Sequence, residues 1–137
     1  MALAITKLTN VAIESAESVA TTALEWASDT GGTVLNAGAG EMFEDIILTV
    51  SIAFHASATL GAELHVRYSS DDGTTEPNIA NFTFARSIAV AAGTTVIFTH
   101  RLPGSFDYAD IGVKNLDTAQ TLTWTAIYSG RKITGMD

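Results

Sequence analysis

The chain has 137 residues, 47% of them apolar, no cysteine and a formal charge of −8. That length is one ordinary domain with enough apolar material for a core of its own. The missing cysteines exclude a disulfide framework, thiolate zinc ligation and a cysteine nucleophile.

The charge is uneven: up to Val66, Lys7 stands alone against eight acids, and from Arg67 onward six bases face seven acids. Such a chain repels phosphate backbones, so nucleic acid is not an expected partner. Solubility is the plain reading of the acidity, and steering towards a basic partner surface is the sharper one.

Met1 to Asn10 alternates apolar and polar residues, without the basic segment and apolar run of a signal peptide. No apolar run approaches the ~20 residues that span a bilayer. The expectation is a protein made in a cytosol, with no membrane partner. Residues 1–10 read either as an edge strand or as an arm that orders on a neighbour. Glu14 to Trp26 suits helix or strand, and the alternation from Ala20 to Trp26 favours extended structure. Gly31-Gly32 and Gly38-Ala39-Gly40 bracket a short edge strand within Thr33 to Asn36.

Asp45 to His55 is the clearest element. Ile46, Leu48, Val50, Ile52 and Phe54 share one face, and only Ile47 breaks the alternation. Period two over this length predicts a strand with one buried face. Leu64, Val66 and Tyr68 alternate with Glu63, His65 and Arg67 in a second strand. Ser69 to Asn78 is dense in turn formers and reads as a long exposed loop. Phe82, Phe84, Ile88 and Val90 supply one or two strands before a turn at Ala92-Gly93. Thr95 to Arg101 is β-branched and aromatic, closed by Pro103-Gly104, and Tyr108 to Leu116 carries Ile111 and Val113 on one face. Asp117 to Gln120 turns into Leu122, Trp124, Ala126 and Tyr128, which alternate with threonines. Nineteen threonines suit half-solvated pleated faces. Short strands with turns every 8–12 residues predict an all-β, antiparallel, jelly-roll-like sandwich of about eight strands in a single domain.

Chemistry is harder to find. His55, His65 and His100 are the metal or acid–base candidates, yet no two are spaced to converge on one ion. His55 and His65 are expected on outward faces, as ordinary hydrogen-bonded surface histidines. Asp71, Asp72 and Glu76 suggest a loose calcium loop but lack the EF-hand register. No Gly-x-Ser-x-Gly elbow and no phosphate loop is present. Trp26, Trp124, Tyr68, Tyr108 and Tyr128 could form a sugar-stacking platform. Tyr68, Trp124 and Tyr128 share faces with aliphatic residues and read as core, leaving Trp26 as the one to test for exposure. The residues therefore assign no catalytic site, no cofactor and no metal, and a non-enzyme is expected. A hydrolase with a dispersed site would need one of the histidines near an acid or serine in a cleft.

From Phe43 onward the chain resembles small β-sandwich structural proteins of tailed bacteriophage virions. Three stretches carry the likeness. One is a strand ending in Arg67-Tyr68 that runs into Ser69-Ser70-Asp71-Asp72-Gly73-Thr74-Thr75. Another is Tyr108 to Asp117 with its Asn-x-Asp turn, and the third is Leu122 to Tyr128 followed by Ser129-Gly130-Arg131-Lys132. The resemblance implies a capsid decoration (cement) protein bridging major capsid subunits, expected as a homotrimer within a virion. It implies a tail, neck or fibre module as the alternative. A carbohydrate-binding sandwich at a receptor-binding tip is a further one.

Overall fold

The period-two segment around Ile46–Phe54 is the backbone of the structure, because its apolar face is long enough to organise two sheets around it. The computed structural model describes residues 3–38, 40–69 and 82–135. Ten strands run through them: β1 (Ala4–Val19), β2 (Leu24–Trp26), β3 (Leu35–Asn36), β4 (Met42–Phe54) and β5 (Ala62–Ser69), then β6 (Phe82–Ile88), β7 (Thr95–Arg101), β8 (Ser105–Phe106), β9 (Tyr108–Asn115) and β10 (Leu122–Thr134). A single 3₁₀ turn, Ala27–Asp29, follows β2. The expected long loop after β5, with Asp71, Asp72 and Glu76, lies outside the described residues.

The first sheet has the order β1-β10-β4-β7, with β8 beside β4; the second has the order β2-β9-β5-β6, with β3 beside β9. Every pairing is antiparallel. Without the two-residue β3 and β8, eight strands remain, and each sheet interleaves early strands with late ones. That is the double-sheet jelly roll. The expected sandwich is therefore present, with ten strands instead of about eight. The two additional ones are too short to carry a period that a sequence reader would notice.

The pairings are nested. β5 pairs with β6, β4 with β7, β2 with β9 and β1 with β10, as if one long hairpin had been rolled up. The core lies between the sheets, where Ile46, Leu48, Val50 and Ile52 of β4 meet Leu64, Val66, Ile111 and Val113 of the other sheet, with Trp124 of β10 fully enclosed. Burying each such aliphatic side chain contributes roughly 1.5–3 kcal/mol.

β1, an edge strand, takes in residues 4–10 and the first six residues of the Glu14–Trp26 segment whose period was ambiguous. Its register shifts three times against β10, and Asn10 and Ala16 adopt left-handed φ values of 48° and 51°. These bulges explain the broken alternation, since each inserted residue reverses which face the next side chain takes. β2 begins only at Leu24, because Thr21 and Thr22 form a turn, so the strand expected over Ala20 to Trp26 keeps just its last three residues. β10 runs past Gly130, where the β4 bulge at Asp45 passes close by. A Cβ on Gly130 would sit 2.7 Å from the Asp45 carbonyl oxygen.

Candidate functional site: two unlike outer faces

Each sheet turns one face to the core and one away from it. On the second sheet, the away-facing residues of β5 and β9 are cross-strand neighbours: Glu63 beside Lys114, His65 beside Gly112, Arg67 beside Asp110. Trp26 of β2 also registers with Gly112. Its ring lies over that position, so that a Cβ on Gly112 would come within 2.7 Å of Trp26 Cε3 and 2.9 Å of the Glu25 carbonyl oxygen. Glycine is the residue that lets the ring settle there.

Under this cover sits a charged cluster. Arg67 Nε and Nη2 donate to Asp110 Oδ2 at 3.2 and 2.8 Å, and Nη2 also donates to Ser28 Oγ at 3.2 Å. The Ser28 hydroxyl donates to the same Oδ2 at 2.5 Å, and the Ser28 backbone N–H to Oδ1 at 3.3 Å. The guanidinium carbon is 4.1 Å from the Trp26 ring centroid, a cation–π contact. The Asp110 side chain is 0% exposed and that of Arg67 13%.

His65 continues the row. Its Nε2 lies 3.1 Å from Glu63 Oε1, and its ring meets Trp26 edge-on, with centroids 6.4 Å apart. Burial pushes its pKa below the ordinary imidazole value, and Lys114 adds to that, while the Glu63 hydrogen bond and charge oppose it. His65 thus points away from the core as the alternation requires, but it is only 4% exposed, not a surface histidine. Trp26, 8% exposed, is buried with it. The Trp26 ring that meets His65 lies some forty residues upstream and leaves no trace in the local pattern of β5.

This cluster cannot work as a serine triad. A triad needs an imidazole between serine and acid to take the proton. Here the group bridging Ser28 and Asp110 is a guanidinium, which is always protonated and accepts nothing. What the geometry does is clamp the Trp26–Asp29 segment onto β9.

The remaining histidines lie elsewhere. His55 follows β4, exposed, its Nδ1 accepting from the Ser57 N–H at 3.0 Å. His100 sits on β7 opposite Leu48, its pKa lowered by burial and then by Arg86. Among the described residues no group of three or more histidines and acids is placed to hold a metal, and no helix is long and apolar enough to cross a membrane. Of the five aromatics weighed for a platform, Trp26, Trp124, Tyr108 and Tyr128 are buried and Tyr68 is half-buried.

The Asn-x-Asp turn proves to be a structural knot. Asn115 Nδ2 donates to the carbonyls of Val19 and Gln120, and its Oδ1 accepts from the Asp117 N–H. Asp117 Oδ1 accepts from the N–H groups of Ala119 and Gln120, Oδ2 from those of Thr59 and Leu60. Backbone donors, Thr59 and Ala119 foremost, hold this carboxyl well below the usual carboxylate range. The sequence showed the turn but not the loop at Thr59–Leu60 that closes it.

The first sheet's outer face is of another kind. β10, β4 and β7 present four cross-strand rows: Thr123, Ala53 and Thr95; Thr125, Ser51 and Ile97; Ile127, Thr49 and Thr99; Ser129, Ile47 and Arg101. Of these twelve side chains one is charged, and Arg101 stands at a corner, 3.9 Å from Asp45. Beyond that corner Arg131 pairs with Glu44 and Asp45. The face is thus uncharged at its centre and ionic along one rim. Ile97 is 68% exposed and stands beside the small side chains of Ser51 and Ala53.

No protein-family model matches the chain, and no curated protein matches it. Solved structures share its fold. A chain of the T13 particle of infectious bursal disease virus superposes with a TM-score of 0.56 at 8% identity, over 96% of this chain and 31% of that one. The VP2 protein of infectious bursal disease virus in T=1 particles gives 0.55 at 11% identity, over 98% of this chain and 32% of that one. The chain therefore spans about a third of the length of these viral-particle chains, and at such identities what is shared is the β-sandwich itself.

Proposed function

We propose that this chain is a non-enzymatic structural protein of a virion, of the bacteriophage capsid-decoration type, which stabilises a shell by bridging neighbouring capsid subunits. The observation that carries the reading is the fold: a jelly roll that matches viral-particle chains over nearly all of its own length. The polar clusters support it, because the Arg67–Asp110 clamp and the Asp117 knot both fasten segments of the chain together. Within this reading the protein works as a homo-oligomer, three chains in the cement arrangement, with the major capsid protein as its partner.

The test is to purify virions from the host that carries this gene, quantify the chain by mass spectrometry, and locate it by cryo-electron microscopy. A fixed stoichiometry and density between capsid subunits, with shells lacking the chain disrupting at lower temperature, are the expected results. Density confined to a tail or neck would move the protein within the virion and overturn the cement role. Absence from purified particles would overturn the virion reading altogether.

A further inference from the structure

The first sheet's outer face is nearly free of charge across three strands. On the second sheet Glu63 and Lys114 stand opposite one another on β5 and β9, whereas the twelve outward side chains of β10, β4 and β7 include a single base and no acid. We propose that this face is a self-association surface, through which two copies of the chain pair face to face about a two-fold axis. The proposal stands on charge and shape and does not depend on the virion reading.

Charge selects the occupant. Two copies each carrying −8 repel one another in most orientations. Through this face they meet with no acid opposed to an acid. Depletion of charge at the centre with a polar rim is how protein interfaces are built, and Arg101, Arg131, Glu44 and Asp45 supply such a rim on one side. A two-fold contact must also be self-complementary. Ile97 is 68% exposed and has the smaller side chains of Ser51 and Ala53 beside it, so each copy brings both a projecting side chain and a position that leaves room for one.

The size is adequate for a reversible pair. Strands ~4.8 Å apart and residues rising ~3.3 Å make β10, β4, β7 and the flanking β1 a face roughly 20 Å by 20 Å. Side-chain relief brings the area buried by two copies to about 1,000 Å², the low end of specific interfaces. Pairing in the micromolar range is expected, strengthened by salt, because screening weakens the mutual repulsion and removes no attraction at the uncharged centre.

Sedimentation equilibrium of the intact chain from about 1 to 500 µM tests this. The expected result is a concentration-dependent mass that reaches an even number of chains: two alone, or six if trimers also form. Ile97→Glu, which puts an acid into the uncharged centre of the contact, is expected to weaken pairing at least tenfold. Ser51→Asp is expected to do the same, while Ser87→Asp, at an exposed position of β6 in the other sheet, leaves it unchanged. Circular dichroism melts confirm that each variant is folded. A wild-type mass that stays at one or three chains across the range overturns the proposal. So does a folded Ile97→Glu and a folded Ser51→Asp that pair like wild type, or pairing that loosens as salt rises.

Discussion

Arg67 stands on β5 with its guanidinium between the Trp26 ring and the Asp110 carboxylate, and the three depend on one another. Removing the arginine leaves Asp110 enclosed without a counter-charge, the costly way to break a buried pair. Arg67→Ala is expected to lower stability by about 3–5 kcal/mol in urea denaturation. Arg67→Lys is expected to recover little, because an ammonium lacks the fork that reaches both Asp110 and Ser28 and the flat face that stacks on Trp26. Titration acts at two other places. His65 and His100 have pKa values lowered in the fold, so the unfolded chain takes up their protons first. Stability should therefore rise with pH up to about 6.5, the unfolded value, and fall as pH drops below it. Asp117 is depressed, so its contribution is complete above about 3.9 and is lost on further acidification. Urea melts at a series of pH values should show two separate declines, the lower one missing in Asp117→Asn.

β1 shows what an edge strand costs and how it is guarded. A sixteen-residue edge offers a row of backbone groups to any passing strand. Its bulges at Asn10 and Ala16 interrupt that row, and the N–H groups they displace are taken up by Ser129 Oγ at 3.0 Å and Thr125 Oγ1 at 2.9 Å. Thr125→Val removes one such acceptor and is expected to cost about 1 kcal/mol, whereas Thr123→Val, with no bulge amide bonded to it, stays near neutral in the same urea assay. The same bulges decided what could be read from sequence. β4 and the first half of β10 were legible because no bulge interrupts them from Ile46 to Phe54 or from Leu122 to Tyr128. β1 was ambiguous because its alternation changes phase at each bulge, and a helical period fitted its alanines as well. The outward direction of His65 followed from alternation, but its burial depends on a segment brought over by the fold, which local pattern does not encode. The uncharged face of the first sheet was present as threonines and serines in three separate strands. It became a surface only once the order β10-β4-β7 placed them side by side.

At the scale of the molecule the nested pairing governs how the chain comes together. β5 and β6 are the one pair of consecutive long strands that share a sheet, and every other long pairing encloses it. Loop closure is least costly there and most costly for Ala4 against Thr134. Folding on the millisecond-to-second scale of non-local β proteins is expected. Val66→Ala on β5 should slow folding, whereas Ile13→Ala on β1 should mainly speed unfolding; chevron plots distinguish the two. The pairing of β1 with β10 has a mechanical consequence as well. Ala4 and Thr134 are direct partners at the same end of an antiparallel ribbon. A pull that separates those two residues loads one rung of hydrogen bonds at a time, so the ribbon yields as a zipper at low force. A force along the strands, which shears β1 lengthwise against β10, would have to break many rungs together. The molecule therefore resists shear along β1 and β10, and its weak direction is the one in which these two strands are drawn apart from the Ala4–Thr134 end.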